Sequence, residues 1–323
     1  MSSLGHVLII RPGALGDAIL TLPVLHALKL AGADSVTVLG TPASWKFLRA
    51  AHEGVRVRDF ASSEWLGLFS ESAALGPAAE AMLSRTQTAI VYLNDVAEIE
   101  RRLARSGVRT RLYGEAPRES SADFAGAEHA AMRLLKPLKE LGIDTSARAL
   151  ETLDLSSDPL LQVDEFERAR ALERLGLDAD GAESFVALHP GSGGRRKCWA
   201  VERFARLVPL ISRRRLAPLV FFGPADDDVR AEFESHVEAG TYWDAVVNWP
   251  LRDVLALLTF CGGFIGNDSG LTHLAARACP VTALFGPTSP AVWAPLGKEV
   301  CVLQAPNRDL ASLSVEEVGR FLP

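Results

Sequence analysis

The stretch Val7–Lys29 reads VLIIRPGALGDAILTLPVLHALK and decides the fold. The unbroken apolar run predicts a strand over Val7–Arg11, buried on both faces as strands of parallel sheets are. After a turn containing Gly13 and Gly16, apolar residues recur at helical spacing over Gly16–Leu30. A strand, a tight glycine turn and a helix form the opening unit of a parallel α/β domain. Pro23 lies too deep for a first-turn proline, so this helix should bend near its second turn.

The alternation continues outward. Ser35–Leu39, Val55–Asp59, Thr88–Leu93 and Val108–Leu112 read as strands, and Val96–Arg105 and Ala127–Leu141 as helices. The pattern breaks at residues 148–162, RALETLDLSSDPLLQ, whose Ser, Asp and Pro content suits a linker. It then restarts: helix Val163–Leu175, strand Phe185–His189, helix Val201–Arg213, strand Pro218–Phe222 and a helix over Asp226–Glu238. Helix Leu251–Phe260, strand Gly263–Gly266, helix Gly270–Ala278, strands Val281–Phe285 and Val300–Leu303, and helix Ser314–Leu322 complete it. The reading is α/β, with two Rossmann-like domains, 1–155 and 156–323, facing across a cleft into which the strand ends point. The last helix is open to packing back on the N-terminal domain.

The 323 residues suit two domains. A formal net charge of −6 argues against nucleic acid as the partner, since phosphate backbones reward clustered positive charge. The four cysteines, Cys198, Cys261, Cys279 and Cys301, show neither a CxxC pair nor zinc-ligand spacing. The N-terminal segment has no basic n-region, and no stretch approaches the roughly 18 apolar residues that span a bilayer. The expected location is cytoplasmic, with peripheral attachment at the cytoplasmic face of a membrane left open.

Three segments carry chemistry. In the first turn, Arg11–Asp17, the glycines fit neither a dinucleotide fingerprint nor a P-loop. Asp17 reads either as a general base for an attacking hydroxyl or as an acid complementing the helix dipole, worth about 0.3–1 kcal/mol. In the second half, His189–Trp199 (HPGSGGRRKCW) sets exposed amides beside three consecutive cations, a combination suited to a diphosphate or to a solvated basic loop. Gly266–His273 (GNDSGLTH) crosses from strand to helix. Asp268 or Ser269 would cap the helix and leave the amides of Gly270 and Leu271 for an anion; His273 could reach the same ligand. Between them, Asp226–Asp228 follows a buried strand. One carboxylate there suits ribose hydroxyls, whereas adjacent helical residues diverge by about 100° and share a metal ion poorly. A cluster of Arg101, Arg102, Arg105, Arg109, Arg111 and Arg118 reads as an acceptor patch or as a solvated face interleaved with Glu98 and Glu100.

In this order and spacing, VLIIRPGALGDAILTLPVLHALK, HPGS…KCW, FFGPADDD and IGNDSGLTHLAA…PVTALFGPTSP resemble glycosyltransferase family 9, the lipopolysaccharide heptosyltransferases. The resemblance covers nearly the whole chain. It implies the GT-B fold, an N-terminal half that binds acceptor, a C-terminal half that binds nucleotide-sugar, and inverting transfer without metal or cofactor. The usual donor is ADP-heptose and the usual acceptor the lipopolysaccharide inner core, a glycolipid met at the inner membrane. By motif match Asp17 takes the place of the catalytic base. Ser192, Gly193 and Lys197 fall in the phosphate-binding loop, and Asp227 falls on the nucleoside-contacting acid within one residue. Asp268, Ser269, Gly270, Leu271 and His273 fall in the pyrophosphate-binding segment. Arg11, Gly13, Ala14 and Gly16, with Arg101, Arg102 and Arg105, stand on the acceptor side. Gly13 and Ala14 replace a serine pair of well-known members, so two hydroxyls that could touch acceptor are absent. The alternatives are a non-hydrolysing nucleotide-sugar epimerase on the same fold and a non-catalytic sugar-nucleotide-binding protein.

Overall fold

The computed structural model describes residues 4–49, 54–114, 128–146, 159–177, 185–297 and 299–323. It divides into two compact units, one of Met1–Trp45 with Ala50–Asp154, the other of Lys46–Arg49 with Leu155–Pro323. Most of the expected linker, and Arg118, lie outside the described residues.

The first unit is built on strands β1 (Gly5–Ile10), β2 (Ala33–Gly40), β3 (Val55–Asp59), β4 (Thr86–Val91) and β5 (Thr110–Tyr113). They lie in the order β3-β2-β1-β4-β5, all parallel. Central β1 has Val7–Ile10 wholly buried, which explains its uninterrupted apolar run. The single helix expected over Gly16–Leu30 is two, Leu15–Leu20 and Leu22–Leu30. Proline has no N–H and its ring crowds the carbonyl four residues back, so Pro23 becomes the second residue of a new helix. Thr21 at the joint donates its hydroxyl to the Asp17 carbonyl (2.7 Å). A second break has the same cause: Ala130–Leu135 passes into a 3₁₀ turn, Lys136–Leu141, at Pro137.

The second unit carries β6 (Phe185–His189), β7 (Ala217–Phe222), β8 (Asp244–Val247), β9 (Cys261–Asn267), β10 (Val281–Phe285) and β11 (Val300–Gln304). Their order is β11-β10-β9-β6-β7-β8, again parallel throughout. In each sheet the chain switches once from one side to the other, between β1 and β4 and between β6 and β9. These are the points where ligands of doubly wound sheets bind, beyond the carboxyl ends of the strands. Strand β8 is absent from the sequence reading.

The last helix is Val315–Gly319. Val315, Val318 and Leu322 enter the core of the second unit with Trp199, Phe204, Leu207 and Ile211. Arg203 and Arg214 reach carbonyls of Ala311, Gly319 and Leu322, so the tail is fixed within its own domain. Among the described residues no helix is long and apolar enough to cross a membrane.

Candidate functional site

In the second unit two loops leave adjacent strands, Pro190–Gly194 after β6 and Asp268–Ser269 after β9, and Asn267 joins them. Its wholly buried amide donates to the carbonyls of Pro190 (2.8 Å) and Gly191 (3.3 Å) and accepts the Trp199 N–H (2.9 Å). Ser192 adds a hydrogen bond from its hydroxyl to the Asp268 carbonyl (2.7 Å). Trp199 in turn donates its indole N–H to Leu313 (3.0 Å).

Of the three consecutive cations only Lys197 turns inward, its ammonium 3.3 Å from the Asp268 carboxylate and its side chain 30% exposed. Arg195 stands in solvent, 3.7 Å from exposed Asp228. The buried Asp268 carboxylate also accepts the Thr288 hydroxyl (2.8 Å). Asp268 therefore orients Lys197, and Ser269 is the cap, accepting the Thr272 N–H (3.3 Å). Gly270 and Leu271 occupy the first two helical positions, where backbone N–H groups have no acceptor inside the helix. His273 is buried one turn further on. Gly193 is exposed, and a Cβ there would meet nothing.

The acidic run resolves differently from its motif position. Asp227 and Asp228 are exposed; Asp226 is the buried member. Its carboxylate accepts the Gly223 N–H (2.7 Å) and lies 3.3 Å from His189 Nε2. Burial opposes its ionisation, yet the hydrogen bonds from His189 and Gly223 hold the carboxyl below its ordinary range. A Cβ on Gly191 would sit 2.3 Å from Asp226 Oδ1, so this loop needs glycine where it crosses the acid. Asn267, Asp226 and Thr288 are organising residues that the sequence reading does not single out.

In the first unit Asp17 is the third residue of its helix, 32% exposed. It accepts the Ala14 N–H (3.0 Å) on one oxygen and the Arg11 guanidinium (2.7 Å) on the other. Gly13 has φ +150°, and a Cβ on it would come within 2.5 Å of the Asp17 carboxylate. The Gly13 carbonyl is pinned by the Ser44 hydroxyl (2.9 Å). Ala14 is exposed and Gly16 half-buried. Arg11 does not stand ready for acceptor: it is buried, and burial lowers the proton affinity of its guanidinium while Asp17 works against that. It positions Asp17.

The arginine cluster also divides. Arg102 is bonded to Glu98 (3.0 Å) and to the carbonyls of Ser70 (2.9 Å) and Ala73 (3.3 Å), tying a loop to its helix. It is a structural tie rather than an acceptor contact. Arg101 pairs with Glu98 (2.5 Å) but remains 60% exposed, as does Arg105. Burial works against ionisation of Glu98, and the hydrogen bonds from Arg102 and Arg101 overcome it, holding the carboxyl below its usual range. Arg111 donates to the Val108 carbonyl (2.6 Å). Among the described residues one group has metal-ligand spacing, Glu202, Glu232 and His236, with ligand atoms within 4.8 Å of one another; it includes none of the site residues above.

Comparison with known proteins fits this arrangement. The model of glycosyltransferase family 9 (heptosyltransferase) matches residues 143–318, more than half of the chain. Lipooligosaccharide heptosyltransferase 2 of Haemophilus ducreyi is 28% identical over 152 residues, 44% of this chain and 43% of that protein, so the match spans less than half of the relative's length. Among solved structures, ADP-heptose lipopolysaccharide heptosyltransferase II of Escherichia coli superposes with a TM-score of 0.74 at 19% identity, covering 98% of this chain and 96% of its own. The E. coli heptosyltransferase WaaC solved with ADP gives 0.67 at 19%, covering 98% of each. The fold is that of the GT-B class, two parallel-sheet α/β domains.

Proposed function

Because the chain belongs to glycosyltransferase family 9 (heptosyltransferase), we propose that it moves a heptose from ADP-heptose to a lipopolysaccharide-core-type acceptor, inverting the anomeric centre without a metal. The C-terminal unit holds the donor and the N-terminal unit the acceptor. The curated relative is a lipooligosaccharide heptosyltransferase and WaaC was solved with ADP, which supports both substrate classes. The observation that carries the reading is Lys197. It is a cation drawn out of an otherwise solvent-facing basic run and held by Asp268 beside the open amides of Gly270 and Leu271.

The acceptor oxygen attacks the anomeric carbon as the bond to the diphosphate oxygen breaks, and the diphosphate leaves with the electron pair. Lys197 and the two amides stabilise the charge growing on it, where loss of one such donor costs about 100–1000-fold in rate. Asp17 takes the hydroxyl proton. A carboxylate serves in that role when the proton leaves late, once the acceptor oxygen has become acidic. Arg101 and Arg105 are the exposed cations of the arginine helix available to a phosphorylated acceptor. The place of action is the cytoplasm or the cytoplasmic face of the inner membrane, where such a glycolipid lies.

Incubation with ADP-heptose, with and without core acceptor, tests the proposal. ADP release that depends on acceptor supports it. Sugar isomerisation without acceptor would replace it with the epimerase reading, and binding without release would leave a sugar-nucleotide-binding protein.

A further inference from the structure

Three side chains from the ends of three neighbouring strands form a line at the switch point of the second sheet. Asp226 Oδ2 lies 3.3 Å from His189 Nε2, and His189 Nδ1 lies 3.2 Å from Ser269 Oγ. All three residues are buried. The hydrogens on this line follow from what each atom can do. The Asp226 carboxylate, which already accepts the Gly223 N–H, faces His189 Nε2 as an acceptor, and this places a ring hydrogen on Nε2. An imidazole whose single hydrogen is on Nε2 offers a lone pair at Nδ1, to which the Ser269 hydroxyl donates.

Ser269 has one competing acceptor. Thr272 Oγ1 is 3.0 Å away, and its own hydrogen is committed to the Asn267 carbonyl (2.5 Å). The Ser269 hydroxyl can therefore point to His189 or to Thr272, while its oxygen accepts the Thr272 N–H in either case. The imidazole selects between the two.

We propose that His189 is a positioning residue: anchored on Asp226 through Nε2–H, it fixes the direction of the Ser269 hydroxyl and with it the seat of a nucleoside diphosphate on the loops of Ser192 and Ser269. The inference rests on reading this unit as the donor site. His189 itself touches neither the sugar nor the acceptor, so its replacement acts on nucleotide affinity before it acts on the chemical step.

Two measurements decide it, neither requiring turnover. The first is the tautomer of His189, read from ring-nitrogen NMR of labelled protein and assigned among the seven histidines by its loss in His189→Asn. The expected neutral form carries hydrogen on Nε2; hydrogen on Nδ1 overturns the proposal. The second is ADP affinity by calorimetry. His189→Leu, which offers Ser269 no acceptor, should weaken ADP binding about tenfold, the effect of one buried hydrogen bond near an anion. His189→Asn places an amide oxygen near the former Nδ1 and should recover most of that loss. Equal affinity in wild type and His189→Leu, or equal losses in both variants, would refute it. If His189→Leu does not fold, the wild-type tautomer and the His189→Asn affinity still decide. Absence of acceptor-dependent transfer by the wild type counts against the transferase reading alone, because tautomer and ADP affinity are measured without acceptor.

Discussion

Removal of the Asn267 amide should undo the loops of Ser192 and Ser269. Asn267→Ala deletes three buried hydrogen bonds, taking the partner from the Trp199 N–H and the Pro190 carbonyl and, more weakly at 3.3 Å, from the Gly191 carbonyl. A buried polar group left unpaired costs about 1–3 kcal/mol. Two such groups, partly relieved by relaxation, give a loss of roughly 2–4 kcal/mol. For a domain of this size each kcal/mol lowers Tm by about 2–4 °C, so the transition of the C-terminal unit should fall by roughly 5–15 °C. Differential scanning calorimetry, with tryptophan fluorescence to assign the transition, measures this. Asn267→Asp sharpens the test. It keeps an acceptor for Trp199 but turns a second acceptor toward two carbonyls, so it should destabilise at least as much as Ala. A fall below 2 °C in both variants would mean that the loops are held by something other than this amide, and the account of the site would lose its framework.

Asp17→Asn should abolish transfer and leave ADP affinity within a few fold; retained turnover would remove Asp17 from the role of base. Lys197→Ala should weaken ADP binding, and unchanged affinity in calorimetry would mean that the ammonium meets no diphosphate. Asp226 should appear in the acid stability of the protein. Its folded proton affinity is depressed, so its contribution is complete above the unfolded carboxylate value of about 3.9 and is lost as pH falls from there through the lower folded value. The stability gap between wild type and Asp226→Asn should be flat down to about pH 5 and shrink below pH 4; a gap independent of pH would refute an ionised Asp226.

Much of the fold is legible because parallel strands are apolar end to end. Val7–Ile10 and Phe185–Leu188 announce themselves without reference to partners. Strand β8 does not, because it is a four-residue edge strand in which only Val246 is buried. The break at Thr21 follows from Pro23 by backbone chemistry alone. In the site, the cationic loop and the capped helix start are readable as local patterns, whereas Asn267 is not: its partners are 68–77 residues distant, and nothing near it marks an amide as a joint. Asp227 is favoured over Asp226 by motif spacing, but the acid that turns inward is the one that packs against Gly191, from a loop more than thirty residues earlier. Arg11 and Arg102 look in sequence like free cations at a mouth. Their partners, Asp17 and the carbonyls of Ser70 and Ala73, are supplied by tertiary packing.

The indole of Trp199 is tied to Leu313, 114 positions later in the chain. During synthesis the segment bearing Ser192 and Lys197 leaves the ribosome long before Leu313 and Val318 exist to brace it. A nascent chain halted between Thr288 and Leu313 would carry the polar groups of the Ser192 and Ser269 loops and still lack the Leu313 carbonyl that holds the Trp199 indole. Nucleotide capture should therefore switch on late in translation, after the first unit has had time to fold.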